Sequence, residues 1–408
     1  MKAVQFDLRL SRYALVKSLG RWFPSLHWHP KLSCLRYQTV PEPTLPNEQW
    51  AKIKVKYAGI CGSDLNLIFL RDSPATSPFA SFPFTLGHEI VGTVEETGSA
   101  AHTFKPGDRV VIDPVLSCKT RGFDSLCPAC AKGDESLCER MTDGNISPGL
   151  LIGTCRDTGG GWGSHLVAHQ SQLIKLPDDV NDLNGVMVEP FSCALHSVLR
   201  NPPRDGDHVL IIGSGVIGIC TIAALRALND KCQITVVAKH DFQAELAARY
   251  GADQIIRLAE EKTFERQLAD VLQAKLLKPV FGPSVVQGGA DLVYECVGNA
   301  GSIKDALRFC RSGGKVVLVG LAGIQNKIDW TAVWLNELEI KGCFAYSTEY
   351  YKGKQMRTLQ IAIDLMQEGK VDLAPMVTHT FPLHDYQKAI EISSSKARGQ
   401  TMKVVFEP

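Results

Sequence analysis

Four cysteines, Cys118, Cys127, Cys130 and Cys138, fall within 21 residues of one another. Two residues separate Cys127 from Cys130 and seven separate Cys130 from Cys138, a spacing suited to thiolate ligands. Four thiolates in one short loop suit a closed, tetrahedral and therefore structural Zn2+ site. Left as free thiols they would invite oxidation. A redox pair at Cys127 and Cys130 is the other reading, but no thioredoxin-like context surrounds it. A second set is more dispersed: Gly59-Ile60-Cys61-Gly62-Ser63-Asp64, then Gly87-His88-Glu89, then Glu189-Pro190 about a hundred residues later. One thiolate, one imidazole and carboxylates can build an open, catalytic zinc site with room for an oxygen ligand. Singly, Cys61 also reads as a core residue, His88 as a satisfied core histidine and Glu189 as an acid near a helix N-terminus. The long spacings leave both readings open.

Gly213-Ser214-Gly215-Val216-Ile217-Gly218 fits G-x-G-x-x-G, following an apolar strand and opening an apolar helix. Gly213 permits the tight turn, Gly215 lets backbone approach a pyrophosphate, and Gly218 allows close helix–strand packing. Val216 and Ile217 begin the helix whose N-terminus would face the phosphates. The second strand of such a unit ordinarily ends in an acid that holds the adenosine ribose. Here it ends Val236-Val237-Ala238-Lys239-His240. A small residue followed by a cation, Ala238 and Lys239, favours the 2′-phosphate of NADP over NAD. Lys239 as a solvated loop residue, with Asp241 as the ribose ligand, is the alternative.

The elements that must position these groups change character along the 408 residues, a length that suggests two domains. The first third is rich in short strands: Lys52–Tyr57 alternates polar and apolar, and Glu89–Thr97 and Arg109–Ile112 follow. After the turn-prone Asn201-Pro202-Pro203 and Asp205-Gly206-Asp207, apolar strands (Val209–Ile212, Ile234–Ala238, Leu292–Cys296, Lys315–Gly320) alternate with helices (Phe242–Tyr250, Ser302–Cys310). That pattern predicts a parallel sheet covered on both faces. An amphipathic helix around Lys354–Gln367 and a strand near Lys403–Phe406 close the chain.

Composition narrows the function. Lys+Arg 44 against Asp+Glu 43 leaves a net charge of +1 and no electrostatic reason to expect nucleic acid or a membrane as partner. Around the cysteines, Lys119, Arg121 and Lys132 are offset by Asp124, Asp134, Glu135 and Glu139. The uncharged run Val209–Leu225 carries three glycines and is short for a membrane span. Arg9, Arg12, Lys17 and Arg21 interrupt the N-terminus, which does not read as a secretory leader. An odd total of 13 cysteines argues against a disulfide framework and for a reduced, cytoplasmic protein.

Taken in order, Gly59–Asp64, Gly87–Glu89, the cysteine lobe, Gly160–Val167, Glu189-Pro190 and Gly213–Gly218 resemble the zinc-dependent medium-chain dehydrogenases. The polyol and threonine dehydrogenase-like branch shares the wording of the Cys-Gly-Ser-Asp and Glu-Pro segments. The resemblance, covering about residue 40 to the C-terminus, implies an α/β chain with two domains. One is a GroES-like β-rich catalytic domain (residues 1–193 and 345–408) carrying the zinc lobe at about 114–140. The other is a Rossmann domain (194–344). It implies Cys61, His88, Glu89 and Glu189 about the catalytic zinc, with Cys193 a second candidate for the last place. Ser63 would take the proton of a substrate hydroxyl and NAD(P) the hydride. A small polar secondary alcohol, polyol or amino alcohol is the implied substrate, and a homodimer or homotetramer the implied assembly. A zinc-free quinone or enone reductase, or a non-catalytic NAD(P)H-binding zinc protein, are the alternatives. This chain departs from the family pattern in four places: eight residues between Cys118 and Cys127, Asn66 where relatives carry histidine, Ala238, and an N-terminal segment about 20 residues longer than usual. The last departure, residues 8–36, includes Trp22, Phe23, His27, Trp28 and His29.

Overall fold

The computed structural model describes residues 1–258, 261–395 and 399–408. Strand β1 (Lys2–Phe6) is followed by helix α1 (Leu10–Leu19), a 3-10 turn at Pro24–Trp28 and β2 (Leu35–Thr39). Then come β3 (Trp50–Gly59), α2 (Gly62–Ile68), β4 (Phe84–Thr85), β5 (Ile90–Thr97), β6 (Arg109–Ile112) and α3 (Pro128–Ala131). Strands β7 (His165–His169) and β8 (Leu173–Lys175) precede the long helix α4 (Asp182–Arg200). An alternating segment follows: β9 (His208–Ile212), α5 (Val216–Leu228), β10 (Gln233–Ala238), α6 (Asp241–Arg249), β11 (Gln254–Arg257) and α7 (Glu261–Val271). It continues through the hairpin β12 (Lys275–Leu277) and β13 (Val285–Gln287) to β14 (Ala290–Glu295), α8 (Ala300–Phe309), β15 (Cys310–Leu318), α9 (Thr331–Leu335) and β16 (Glu339–Gly342). The chain ends with β17 (Thr348–Tyr351), β18 (Lys354–Arg357), α10 (Thr358–Gln367), β19 (Val377–Pro382), α11 (Tyr386–Ser394) and β20 (Lys403–Glu407).

The backbone divides into two compact units, residues 1–189 with 346–408 and residues 190–345. In the first, β19-β20-β3-β5-β6-β8 form one sheet, with β7 also paired to β3. Strand β3 shows why this segment is extended: Ile53 and Val55 are buried in the core while Lys52 and Lys56 point outward to Glu42 and Glu407. A smaller sheet, β2-β1-β4, covers it, and Val4, Phe6, Leu35 and Phe84 join the same apolar core.

In the second unit six strands lie in the order β11-β10-β9-β14-β15-β16 and are parallel throughout. The order reverses between β9 and β14, so the chain's ligand crevice is expected beyond the carboxyl ends of those strands. Val209, Leu210 and Ile211 are fully buried, as a strand covered on both faces requires. Among the described residues no helix is long and apolar enough to cross a membrane.

Three local expectations change. The helix expected around Lys354–Gln367 begins only at Thr358, because Lys354–Arg357 pairs with Thr348–Tyr351 as a hairpin. Arg357 ends that hairpin, its guanidinium held by Asp113 and by the Ser171 carbonyl. The strand expected at Lys315–Gly320 runs from Cys310 to Leu318, and the amides of Val319 and Gly320 turn back onto the Glu295 carbonyl. Glu189 is not near a helix N-terminus; it lies in the interior of α4.

Candidate active site

Cys61 stands between β3 and α2. Its N–H donates to Asp64 Oδ2 at 2.9 Å, and its sulfur accepts from the Asp64 backbone in return. This reciprocal cap fixes the thiol at the start of the helix. Ser63, half-buried, is the second residue of α2. His88 lies between β4 and β5, preceded by Gly87 at φ +92°. A Cβ on Gly87 would stand 2.3 Å from Trp162 Cδ1, so only glycine serves there. Trp162 in turn donates from Nε1 to the Gly59 carbonyl at 3.2 Å, tying the turn before Cys61 to the turn before His88.

The electrostatics converge on one buried spot. His88 Nδ1 is 3.8 Å from Asp64 Oδ1, and the Cys61 thiol is in hydrogen-bond contact with the imidazole. Burial disfavours a charged His88, but Asp64, Cys61 and Glu189 together hold its pKa well above the usual imidazole range. Burial pushes the Glu189 carboxyl up to about 7, with Glu89 acting the same way and His88, Lys403 and the Tyr346 hydroxyl opposing. Asp64 is raised for the same reason, partly offset by His88 and the Cys61 amide.

Glu89, expected beside the metal, is engaged elsewhere. Both of its oxygens lie 2.6 Å from Lys403 Nζ, with Glu89 1% and Lys403 2% exposed in their side chains. Lys403 also donates to the Ile60 carbonyl at 3.3 Å. Gly59 makes the room, since a Cβ there would stand 1.8 Å from Glu89 Oε2. His88 thus contacts the Cys61 thiol and interacts with the Glu189 carboxylate, which also feels Glu89. Cys193 sits one turn beyond Glu189 along α4, half-buried.

The lobe cysteines form a tight set. Among the described residues they are the only three or more His, Cys, Asp or Glu side chains whose ligand atoms all lie within 4.8 Å. Cys118 Sγ is 3.6 Å from Cys138 Sγ, and amides of Cys127, Cys130 and Arg140 point at the sulfurs of Cys118, Cys127 and Cys138. A hydrogen bond from Cys130 and the Arg140 amide lower the pKa of the Cys138 thiol and favour its thiolate form. The eight residues after Cys118 do not displace it, because Arg121 organises them. Its fully buried guanidinium donates to the carbonyls of Leu116, Asp143, Ile146 and Gly149 at 3.0, 2.9, 3.2 and 2.6 Å.

In the second unit the glycine turn follows β9 directly. Gly213 has φ +99°, and a Cβ on Gly218 would stand 1.9 Å from the Gly213 carbonyl oxygen. Gly215 immediately precedes α5, so the amides of Val216 and Ile217 open its first turn. Ser214 Oγ donates to Gln243 Oε1 at 3.4 Å, holding the turn to α6. At the neighbouring strand end Ala238 is paired with Arg257 across β10 and β11. Arg257 Nη2 binds Asp241 at 2.6 Å, while its Nη1 is buried without a hydrogen-bond partner among the described residues. Lys239 is exposed beside them, and His240 stacks on Phe242 at 5.8 Å.

Comparison with known proteins agrees with both halves. Residues 47–178 match the family model of the alcohol dehydrogenase GroES-like domain, and residues 216–360 that of the zinc-binding dehydrogenases. The chain is 31% identical over 358 residues to L-idonate 5-dehydrogenase of Vitis vinifera, covering 87% of each protein. It belongs to the zinc-binding dehydrogenases. Human sorbitol dehydrogenase is 29% identical over 90% of each chain. A zinc-binding dehydrogenase of Sinorhizobium meliloti, solved bound to NADP, matches with a TM-score of 0.71 and 26% identity, over 100% of this chain and 99% of its own. The two units are thus a GroES-like domain and a Rossmann domain, and the protein is an oxidoreductase.

Sequence reasoning missed four residues that this dehydrogenase uses to build its sites: Lys403, Tyr346, Arg121 and Arg257. A buried-strand lysine in Met402-Lys403-Val404-Val405 is the one visible signal, since lysine is almost never fully buried unless paired. Lys403→Met tests its role. It strands a buried carboxylate, a loss of about 3–5 kcal/mol. The stranded Glu89 would bind its proton more tightly than in the unfolded chain. The deficit should therefore be small below about pH 4 and grow as pH rises through the carboxyl range. Urea unfolding at pH 4 and pH 7 checks it; an equal deficit at both would exclude the ion pair as the cause.

Proposed function

We propose that this dehydrogenase interconverts a secondary hydroxyl of a polyol or similar polar alcohol with the corresponding ketone, using NADP in preference to NAD. The observation that carries the reading is the interaction of His88 with both the Cys61 thiol at the start of α2 and the buried Glu189 carboxylate, with Ser63 two residues after Cys61. A soft thiolate, an imidazole and a hard carboxylate fit a catalytic zinc with an open position. The four lobe thiols, all buried and close together, fit a structural zinc. When bound, the catalytic metal supplies a Lewis acid that lowers the pKa of a substrate hydroxyl. Cys61, His88 and Glu189 would hold it, with Asp64 near His88 orienting the imidazole. Ser63 Oγ would take the proton of the substrate hydroxyl, and a bound nicotinamide coenzyme would supply the hydride acceptor. Asn66 cannot serve as a base, so the proton continues from Ser63 to water or a ribose hydroxyl. The sugar-alcohol relatives support a polyol, and two polar ligands, His88 and Glu189, beside one thiol suit a hydroxyl-rich substrate.

Two zincs per chain are expected by metal analysis. Cys61→Ser should lose one of them and abolish oxidation of sorbitol or L-idonate, while Cys127→Ser should lose the other and lower Tm. Metal-free protein that still turns over would sink this reading in favour of a zinc-free reductase.

For the coenzyme, Ala238 leaves space, and Arg257 and Lys239 bring two cations to the strand ends where a 2′-phosphate would lie. Fluorescence titration should show NADPH bound at least ~10-fold more tightly than NADH, about 1.4 kcal/mol. Arg257→Ala and Lys239→Ala should each erode that preference while leaving NADH affinity alone. Equal affinities in the native protein would overturn it.

The second unit also carries an exposed apolar face, Trp330, Trp334 and Leu335, beside β16 at the open edge of its sheet. An unpaired edge next to large exposed apolar groups supports association of two or four copies through this face. Light scattering should give a dimer or tetramer mass, reduced by Trp334→Glu; a monomeric native protein contradicts it.

A further inference from the structure

The N-terminal excursion between β1 and β2, residues 7–34, has no part in the chemistry described above, yet it reaches the helix that carries Cys61 and Ser63. Helix α2 has seven residues, too few to be stable alone. Its N-terminus is fixed by the Cys61–Asp64 cap. At its other end the amides of Phe69, Leu70 and Arg71 meet the carbonyls of Leu65, Leu67 and Asn66, which leaves the Ile68 carbonyl to a partner from outside the turn.

That partner, and one for the Leu70 carbonyl just past the helix, come from the excursion. His27 Nδ1 is 3.1 Å from the Ile68 carbonyl, and Lys17 Nζ donates to the Leu70 carbonyl at 2.5 Å. Leu70 itself is left-handed, at φ +54°. That conformation ends the helix and is more often given to glycine. Between the two carbonyls, Phe69 packs against His27 at 4.9 Å and edge-on against Trp28 at 6.0 Å.

The excursion is itself anchored. A Cβ on Gly20 would stand 2.5 Å from His27 Nε2, so the histidine is pressed onto the end of α1. Gln387 of α11 donates to the Trp28 carbonyl at 2.9 Å. His27 is the only buried residue of its 3-10 turn, and Val16 the only buried one of α1. Val16 and Cys34 join the apolar core of the first unit, with Leu8, Tyr13 and Trp28 packed against it, while His27 and Lys17 turn to the end of α2. Lysine at a helix C-terminus also suits the helix dipole.

We propose that residues 10–28 form a strap whose His27 and Lys17 are positioning residues. By holding the Ile68 and Leu70 carbonyls they set the axis of α2, and with it the placing of Ser63 and Cys61 against His88. The strap touches neither substrate nor coenzyme. The inference rests on the proposed alcohol chemistry only for its kinetic readout.

His27→Leu, His27→Asn and Lys17→Met test it in the full-length zinc enzyme. Asparagine can place an N–H near the position of imidazole Nδ1, whereas leucine cannot. His27→Leu should lower kcat for alcohol oxidation at least ~10-fold while the KM and Kd for NADPH stay within about twofold. Deuterium uptake by peptides spanning 62–70 should quicken several-fold, with peptides spanning 208–228 unchanged. His27→Asn should restore both kcat and protection, and Lys17→Met should give a milder version of His27→Leu. The proposal is overturned if His27→Leu leaves exchange at 62–70 and kcat unchanged. It is equally overturned if His27→Asn matches His27→Leu, or if exchange quickens across both units, which would mark a general loss of stability. Should the native protein turn over no alcohol, the exchange measurements with the asparagine rescue decide alone, and only the proposed activity falls.

Discussion

Lys403 and Glu89 form an ion pair with almost no access to water, and much of the first unit is arranged around that fact. Removing two charges from water costs several kcal/mol each after relaxation, so such a pair is tolerable only with close geometry and further hydrogen bonds. Both carboxylate oxygens are in contact with the ammonium, which also reaches the Ile60 carbonyl. Lys403 opens β20 and Glu89 immediately precedes β5, with β3 lying between those strands in the sheet. The pair therefore spans β3 at the end where Cys61 begins, and Gly59 is the residue whose missing side chain admits it. Lys403 offsets the Glu89 charge at Glu189, which feels both of them. The site's net charge is set by a residue more than three hundred positions away in sequence.

The same logic of buried charge distinguishes the two cysteine environments. In the lobe, amide N–H groups of Cys127, Cys130 and Arg140 aim at the sulfurs of Cys118, Cys127 and Cys138, and each such bond favours the thiolate form. Around Cys61 the partners are a histidine and buried acids, a mixed set whose charges depend on one another. The first arrangement suits a closed, permanent ligand shell. The second suits a place where charge must change during a reaction.

How far the chain could be read in advance follows from this division. Short-range signals were legible: the glycine turn, the alternation in β3, and the thiol spacing all rest on neighbours in sequence. Cys118, the least regular of the thiols, still closes on the others, because Arg121 inside the extra residues gathers four carbonyls of the loop. Nothing in the spacing predicts that; an arginine in a polar loop ordinarily reads as solvated. The ion pair of Glu89 was hidden for a related reason. Its neighbour His88 made it look like a ligand, while the lysine that takes it lies on the last strand. The hairpin at Thr348–Arg357 was likewise hidden, since Lys354–Gln367 has helical periodicity and only the anchoring of Arg357 by Asp113 and Ser171 ends the extended stretch before Thr358.

Residues 8–36 were the least legible segment, and the reason is physical. Helix α1 buries almost nothing, so it has no apolar stripe to find. Its role lies in two polar side chains directed at another helix's carbonyls, and such contacts leave no periodic trace. A short catalytic helix needs both ends held. The N-terminal end is served locally, by Asp64 three residues on, and at the other end left-handed Leu70 turns the amides of Leu70 and Arg71 onto the Leu67 and Asn66 carbonyls. The carbonyls of Ile68 and Leu70, which that turn does not meet, take their partners from elsewhere. In this chain the excursion between β1 and β2 brings them, which gives a physical reason for an insertion there whose own outward residues, Trp22 and Phe23 among them, remain largely exposed.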